Sequence, residues 1–315
     1  MKNFQRLVFL VVISIIVLFF FHEFFRQWNQ IKQIQLTLSI PLVFLAYLLM
    51  LFSYLLSTIA WKYTIDSSTH IKISMLSSIA VFNSSGLAKY IPGKIWVYGL
   101  QILWMSSKKY SKSLVLYVGL INTIGTLFGS IFFSASVLFF TMPLWRNMIC
   151  IILLLSSISL LILLFFSNST LGLLSFLIKK TIKREIVIVP IKKTTLLKII
   201  SIYIFSAAFF GFGGWVIING AGIHLSIVNG LNVAATLVLT DVVSFLAFFS
   251  PGGFGIRESL MYLMLQKSGL DSTALLIPLL IRIVSMTVDL SLGITSLFLL
   301  KNMLSKTKNQ PISNE

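Results

Sequence analysis

The sequence predicts an all-α fold: a polytopic membrane helix bundle built as two inverted repeats, each with a re-entrant or broken-helix hairpin at a Pro-Gly motif. Three observations lead there. The first is composition: 57% of the 315 residues are hydrophobic and 10% are charged, with a mean hydropathy of +0.97, where an average soluble domain is about 25% charged. Too little polar surface remains to cover a water-facing exterior. The second is that the apolar residues lie in uninterrupted runs instead of on one face of amphipathic segments. The third is punctuation, because Lys and Arg sit mostly between the runs while Pro-Gly interrupts two of them. A soluble globule is excluded. The 25 Lys and Arg against 8 Asp and Glu give a net charge of +17; placed between apolar runs, this excess is topogenic and implies no nucleic-acid partner.

A helix crosses a hydrocarbon core of about 30 Å with about 20 residues. Residues 7–25, 38–60, 113–141, 147–166, 199–219 and 273–300 are predominantly apolar stretches of that order. The regions 73–105 and 230–268 are apolar but broken by Pro-Gly. Lys2 and Arg6 precede the first run as in a signal peptide, but the run is long and no small-residue cleavage site follows before His22-Glu23-Phe24-Phe25-Arg26. The first run is therefore an uncleaved helix.

Lys and Arg near span ends are retained in the cytoplasm. Lys2 and Arg6 put the N-terminus inside, residues 26–37 outside and Lys62 and Lys72 inside, with Lys108, Lys109 and Lys112 inside again. Both ends of 73–105 then face the cytoplasm, and the arm 95–105, about 16 Å long, is too short to span. Residues 113–141 lead out and 147–166 lead back to the loop 167–198, whose Lys179, Lys180, Lys183, Arg184, Lys192, Lys193 and Lys198 are the strongest inside signal. With Lys301, Lys306 and Lys308 also inside, 230–268 must enter and leave from the external side. The pattern is a single transmembrane domain, 1–301, of inverted halves 1–141 and 147–301, followed by a cytoplasmic tail, 302–315. Seven full spans, with 230–249 crossing, 253–268 on the inner surface and the tail outside, is the alternative. It places the three tail lysines on the wrong side.

Ionisable side chains inside a bilayer cost about 2.5–3.5 kcal/mol each on insertion scales, so each needs a reason. The sequence places Lys89 and Lys94 around Pro92-Gly93, Asp241, Arg257 and Glu258 around Pro251-Gly252-Gly253, and Arg282 and Asp289 in the last span. Arg282 and Asp289 are two turns apart and share a face. Either Asp241, Glu258 and Asp289 neutralise Arg257 and Arg282 in structural ion pairs, or the seven form a site. A broken helix exposes amide and carbonyl groups that lipid cannot satisfy, so each break must line a polar cavity or be buried in protein. The helix that restarts after each break points its positive end at it, beside Lys94 or Arg257, which suits an anion and above all a phosphate. A plain turn against headgroups is the simpler reading. Asn83, Ser84 and Ser85 can bond the loose backbone or the ligand.

The stretches Ser85-Gly86-Leu87-Ala88-Lys89-Tyr90-Ile91-Pro92-Gly93-Lys94-Ile95-Trp96 and Ser250-Pro251-Gly252-Gly253-Phe254-Gly255-Ile256-Arg257-Glu258 resemble the paired motifs of the lysylphosphatidylglycerol synthase transmembrane region, the flippase-like domain family. The resemblance extends over essentially the whole chain in length and span order. It implies movement of an anionic or lysine-modified phospholipid between leaflets of a bacterial inner membrane. The aminoacyl transfer of full-length synthases belongs to a soluble C-terminal domain not expected here, so an enzyme is not expected. Stand-alone members with a KYIPGK-type motif are expected near polysaccharide and lipid-linked glycan functions.

The leading expectation is a lipid transporter handling an anionic phospholipid or a polyprenyl-phosphate-linked glycan. Lys89, Lys94, Arg257 and Arg282 would bind phosphate, with Asn83 and the backbone at Pro92, Gly93, Pro251, Gly252 and Gly253 completing the site; Asp241, Glu258 and Asp289 would balance charge or carry coupling protons. The alternative is a non-transporting scaffold for a membrane glycosyltransferase or lipid-modifying enzyme. One cysteine, Cys150, excludes an internal disulfide, and the scattered His22, His70 and His224 form no metal motif. No GxxxxGK[ST] motif occurs, so no cofactor is expected and energy must come from an ion or lipid gradient.

Overall fold

The computed structural model describes residues 37–69, 72–91, 96–106, 110–165, 191–247, 251–267 and 276–308. These contain nine α-helices and no strand. In chain order they are α1 (Ile40–Ser68), α2 (Met75–Gly86), α3 (Trp96–Ser106), α4 (Lys112–Thr141), α5 (Arg146–Phe165), α6 (Lys193–Gly220), α7 (Ile227–Leu246), α8 (Ile256–Lys267) and α9 (Leu276–Lys308). The expected first span and most of the loop 167–198 lie outside the described residues.

Local chemistry sets the helix starts. Ser74, Ser111 and Ser226 each accept the backbone amide three residues on, from Ser77, Leu114 and Asn229, satisfying one of the amides a helix start leaves loose. Pro41 lies in the first turn of α1, where its missing N–H costs nothing. Among the described residues five helices are long and apolar enough to cross a membrane: α1, α4, α6, α7, and α9 over Leu276–Met303. The apolar part of α5, Arg146–Leu161, is shorter. Within the described residues the expected runs 38–60, 113–141, 147–166, 199–219 and 273–300 thus fall on α1, α4, α5, α6 and α9. The helix of α9 continues past the expected boundary at 301 to Lys308. The 20 residues of α7 rise about 30 Å, the length a full crossing needs.

The α-helix before each Pro-Gly motif ends short of the proline, at Gly86 and at Leu246. After α2 the chain tightens into a 3₁₀ turn, Leu87–Tyr90, and Ile91 is extended at φ −88°, ψ 133°. The residue before a proline is driven out of the helical region, and Ile91 precedes Pro92. After α7, Pro251–Gly253 forms a second 3₁₀ turn. Here Gly252, Gly253 and Gly255 have φ of 56°, 74° and 78°, a left-handed backbone that side chains with a Cβ resist.

The most extensive helix pairing is α1 with α6, and α4 and α7 pack on α6 in turn. Small residues let backbones approach: a Cβ on Gly129 of α4 would lie 2.8 Å from the Tyr203 carbonyl carbon of α6, and one on Gly211 of α6 would lie 2.8 Å from the Ala234 carbonyl oxygen of α7. Close packing of this kind replaces the hydrophobic drive that lipid removes. The largest core cluster joins Met50 of α1, Ile217 and Ile218 of α6, Leu237 of α7, Met261 of α8 and Ile281 of α9. With α2 also packed on α9, these helices converge around the two breaks.

Candidate functional site

The two breaks, about 160 residues apart in sequence, meet. A Cβ on Gly252 would lie 2.8 Å from the Tyr90 ring and 3.5 Å from Arg282 Nη2. Only a glycine lets the second break come that close to the first.

Charged side chains gather at this junction. Lys89, on the first 3₁₀ turn, donates to Asp289 Oδ1 of α9 at 2.7 Å and to the Tyr54 hydroxyl of α1 at 3.3 Å. Its ammonium also lies 5.3 Å from the Tyr54 ring centroid and 5.5 Å from that of Tyr90, within cation–π reach. The Tyr90 hydroxyl donates to the other Asp289 oxygen at 2.5 Å. Asp289 is thus held by both residues of the Lys89-Tyr90 pair.

The second half of the junction is built on two guanidiniums. Arg282 of α9 is buried; its Nη1 donates to Glu258 Oε1 at 2.9 Å and to the Gly252 carbonyl at 3.2 Å, and it stacks 3.5 Å over the Phe254 ring. It therefore caps a carbonyl that the break leaves loose. Its Nη2 is buried with no hydrogen-bond partner among the described residues. Arg257 of α8, also buried, is held more loosely: Asp241 Oδ1 at 3.4 Å, Ser285 Oγ at 3.4 Å and Glu258 Oε1 at 3.7 Å. All three exceed the usual 2.7–3.2 Å of an N–H···O bond. Glu258 also accepts from the Gly255 amide at 2.8 Å, closing the first turn of α8.

Asp289 therefore pairs with Lys89, and Arg282, on the same helix face, pairs with Glu258. Asp241 and Glu258 flank Arg257. Lys89, Arg257 and Arg282 against Asp241, Glu258 and Asp289 sum to zero formal charge. Asn83 is buried and donates to Thr58 Oγ1 at 3.2 Å and to the Ile79 carbonyl. Ser84 and Ser85 donate to carbonyls of their own helix. Pro251 opens the second 3₁₀ turn, and Gly253 is buried against Ser244. Pro92, Gly93 and Lys94 lie outside the described residues.

A cavity of about 650 Å³ opens on this cluster, within the 300–1,000 Å³ typical of small-molecule sites. Lys89, Asn83, Asp241, Gly252, Gly253, Arg257, Arg282 and Asp289 line it. Sequence reasoning missed much of the wall. Tyr54 and Tyr90 complete the Lys89 environment, and a strip of hydroxyls from α1, α3, α4 and α6 extends it: Ser53, Ser57, Tyr98, Thr123, Thr126, Tyr203 and Ser206. Several are already joined, Tyr98 to Thr123 at 2.6 Å and Ser206 to Ser57 at 2.9 Å. Tyr90 had a signal, its place beside Lys89 in the first motif. The others, spaced through ordinary apolar runs, had none. Among the described residues no group of His, Cys, Asp and Glu could hold a metal ion.

Chemically, the junction offers guanidiniums that can chelate a phosphate through paired N–H donors. Two features suit them to it: Arg282 Nη2, a buried donor with no partner among the described residues, and the long contacts of Arg257. Residues 7–293 match the family model described as the lysylphosphatidylglycerol synthase TM region. No curated protein and no solved structure matches the chain.

Proposed function

Because the chain belongs to the lysylphosphatidylglycerol synthase transmembrane-region family, and so is a multi-pass membrane protein, we propose that it moves an anionic lipid between leaflets. The lipid is a phospholipid or a polyprenyl-phosphate-linked glycan, and its headgroup passes through the cavity at the two breaks. The observation that carries this reading is the convergence of both Pro-Gly breaks, five charged side chains and a hydroxyl-lined wall on one 650 Å³ space. Arg257 and Arg282 take the phosphate, with Lys89 and Lys94 as further cations and Asn83 and the glycine backbone of the breaks as neutral partners. The hydroxyl strip receives a polar headgroup beyond the phosphate. Asp241, Glu258 and Asp289 hold the cations while the site is empty.

In this reading the two halves, 1–141 and 147–301, are inverted repeats with hairpins from opposite faces, and rocking of one against the other exposes the cavity to each side in turn. The chain sits in a bacterial inner membrane with both termini cytoplasmic. It acts without a catalytic centre of its own.

Reconstitution into liposomes tests the proposal. A fluorescent phosphatidylglycerol in the inner leaflet becomes accessible to an external reductant with the protein present and stays protected without it. The full mutual pairing of Lys89, Arg257 and Arg282 with carboxylates favours one other reading, a scaffold whose charges are structural. A scaffold leaves the lipid protected and co-purifies with a membrane glycosyltransferase or lipid-modifying enzyme.

A further inference from the structure

Glu258 stands between two spaces. Its Oε1 faces the guanidiniums of the central cavity, while its side chain lines a second crevice, between α8 and α9, together with Ser259, Tyr262, Leu263, Pro278 and Leu279. The crevice has a volume of about 280 Å³, and Glu258, Ser259 and Tyr262 are its polar lining residues. Glu258, Tyr262 and Gln266 recur every four residues, so they form one polar stripe down α8. The Tyr262 hydroxyl accepts from Gln266 Nε2 at 2.7 Å. The stripe runs from the break to the last turn of α8, and Pro278 and Leu279 lie in the first turn of α9. The crevice thus lies along the first two turns of α8 and the first turn of α9, and it shares no lining residue with the central cavity.

We propose that Glu258 is the proton-coupling residue of the anion site, reached by protons through the α8–α9 crevice and not through the cavity that takes the lipid. The assignment rests on the transport reading above and extends it to the coupling ion. The argument is one of charge. Glu258 and an incoming phosphate compete for the same donors on Arg282 and Arg257. When Glu258 loses both cations, the Gly255 amide is the partner it keeps among the described residues, and a largely buried charge without a counter-ion favours its neutral form. It reaches that form by making an O–H bond with a proton from bulk solvent, delivered along the crevice.

The other charged groups do not substitute for it. Among the described residues of α8 and α9, the groups facing Glu258 are Arg257, Arg282 and Tyr262. From α7, Asp241 pairs with Arg257 among the described residues, and it is more than half exposed on the wall of the central cavity and not in the α8–α9 crevice. From the first break and α9, Lys89 and Tyr90 hold Asp289 in a separate pair. Anion and proton therefore enter together, and by linkage each tightens the other.

Calorimetric titration of the full chain in detergent with dihexanoyl-phosphatidylglycerol, in two buffers of different ionisation enthalpy, counts the protons. About one proton taken up per anion is expected, with affinity falling by up to about tenfold per pH unit on the alkaline side. Glu258→Gln should bind with no uptake and a flat pH dependence. Binding by the wild type without uptake, or uptake that survives Glu258→Gln and vanishes in Asp241→Asn, overturns the assignment. The route has its own readout: Tyr262→Phe should slow uptake several-fold in stopped flow with a pH dye, at unchanged equilibrium affinity. An unchanged rate overturns the route. Absence of any binding by the wild type overturns the transport reading itself.

Discussion

Arg257 and Arg282 carry the same charge within one cluster, but their surroundings assign them different work. Arg282 is gripped by Glu258, the Gly252 carbonyl and the Phe254 ring; removing it strands a buried carboxylate and an uncapped break. Arg282→Ala should destabilise the protein by about 3–5 kcal/mol, the usual cost of breaking a buried pair from one side, read as a lower melting temperature in detergent. Arg257, with contacts of 3.4 Å and longer, contributes less to the fold. Arg257→Lys should keep the melting temperature within a few degrees while weakening phosphate binding, because an ammonium cannot reproduce the paired donors of a guanidinium. Tyr90→Phe removes a hydrogen bond to ionised Asp289, a loss of about 1.5–3 kcal/mol for a bond to a charged group, visible in the same melting experiment.

At the scale of elements, the breaks matter more than the spans. Gly252 combines a left-handed φ of 56° with the approach of Tyr90. Gly252→Ala meets both obstacles, about 1–2 kcal/mol for the backbone and a ring that must move off Asp289. It should lower the melting temperature and abolish lipid movement together, whereas Gly255→Ala, with open space at its Cβ but φ of 78°, should incur only the backbone cost. Most of this level was legible in the sequence. Apolar runs located α1, α4, α5, α6 and α9 to within a few residues at most ends, since a continuous run of that length has few other folded states. Pro92 and Pro251 located the breaks because a proline forbids the helix around it. What could not be read was which charges pair across helices, such as Lys89 with Asp289 two hundred residues on. Spacing along one helix reports its own face and says nothing about the neighbour. The tyrosines and hydroxyls of the cavity wall were hidden for the same reason, since a Thr or Ser in a membrane helix also satisfies itself on the carbonyl four residues back, as Thr123 and Thr126 do.

For the whole molecule, the proposal of inverted halves makes a topological prediction. With Cys150→Ser as background, Ser272→Cys should react with a membrane-impermeant maleimide added outside intact cells. Labelling only after permeabilisation would give seven full spans and no inverted symmetry. The paired charges at the junction sum to zero, so in the proposed transport an anionic headgroup displaces a carboxylate as it enters. A zwitterionic headgroup gains less from that exchange. The hydroxyl wall adds hydrogen-bond partners that any polar headgroup can use, but the ionic end discriminates by charge. The most direct test of the account is therefore lipid movement by Arg257→Ala in liposomes, measured beside the wild type with fluorescent phosphatidylglycerol and phosphatidylcholine. The account predicts that the wild type moves phosphatidylglycerol preferentially and that Arg257→Ala, folded and inserted, loses at least tenfold of that rate. Phosphatidylglycerol movement by Arg257→Ala at the wild-type rate would contradict it.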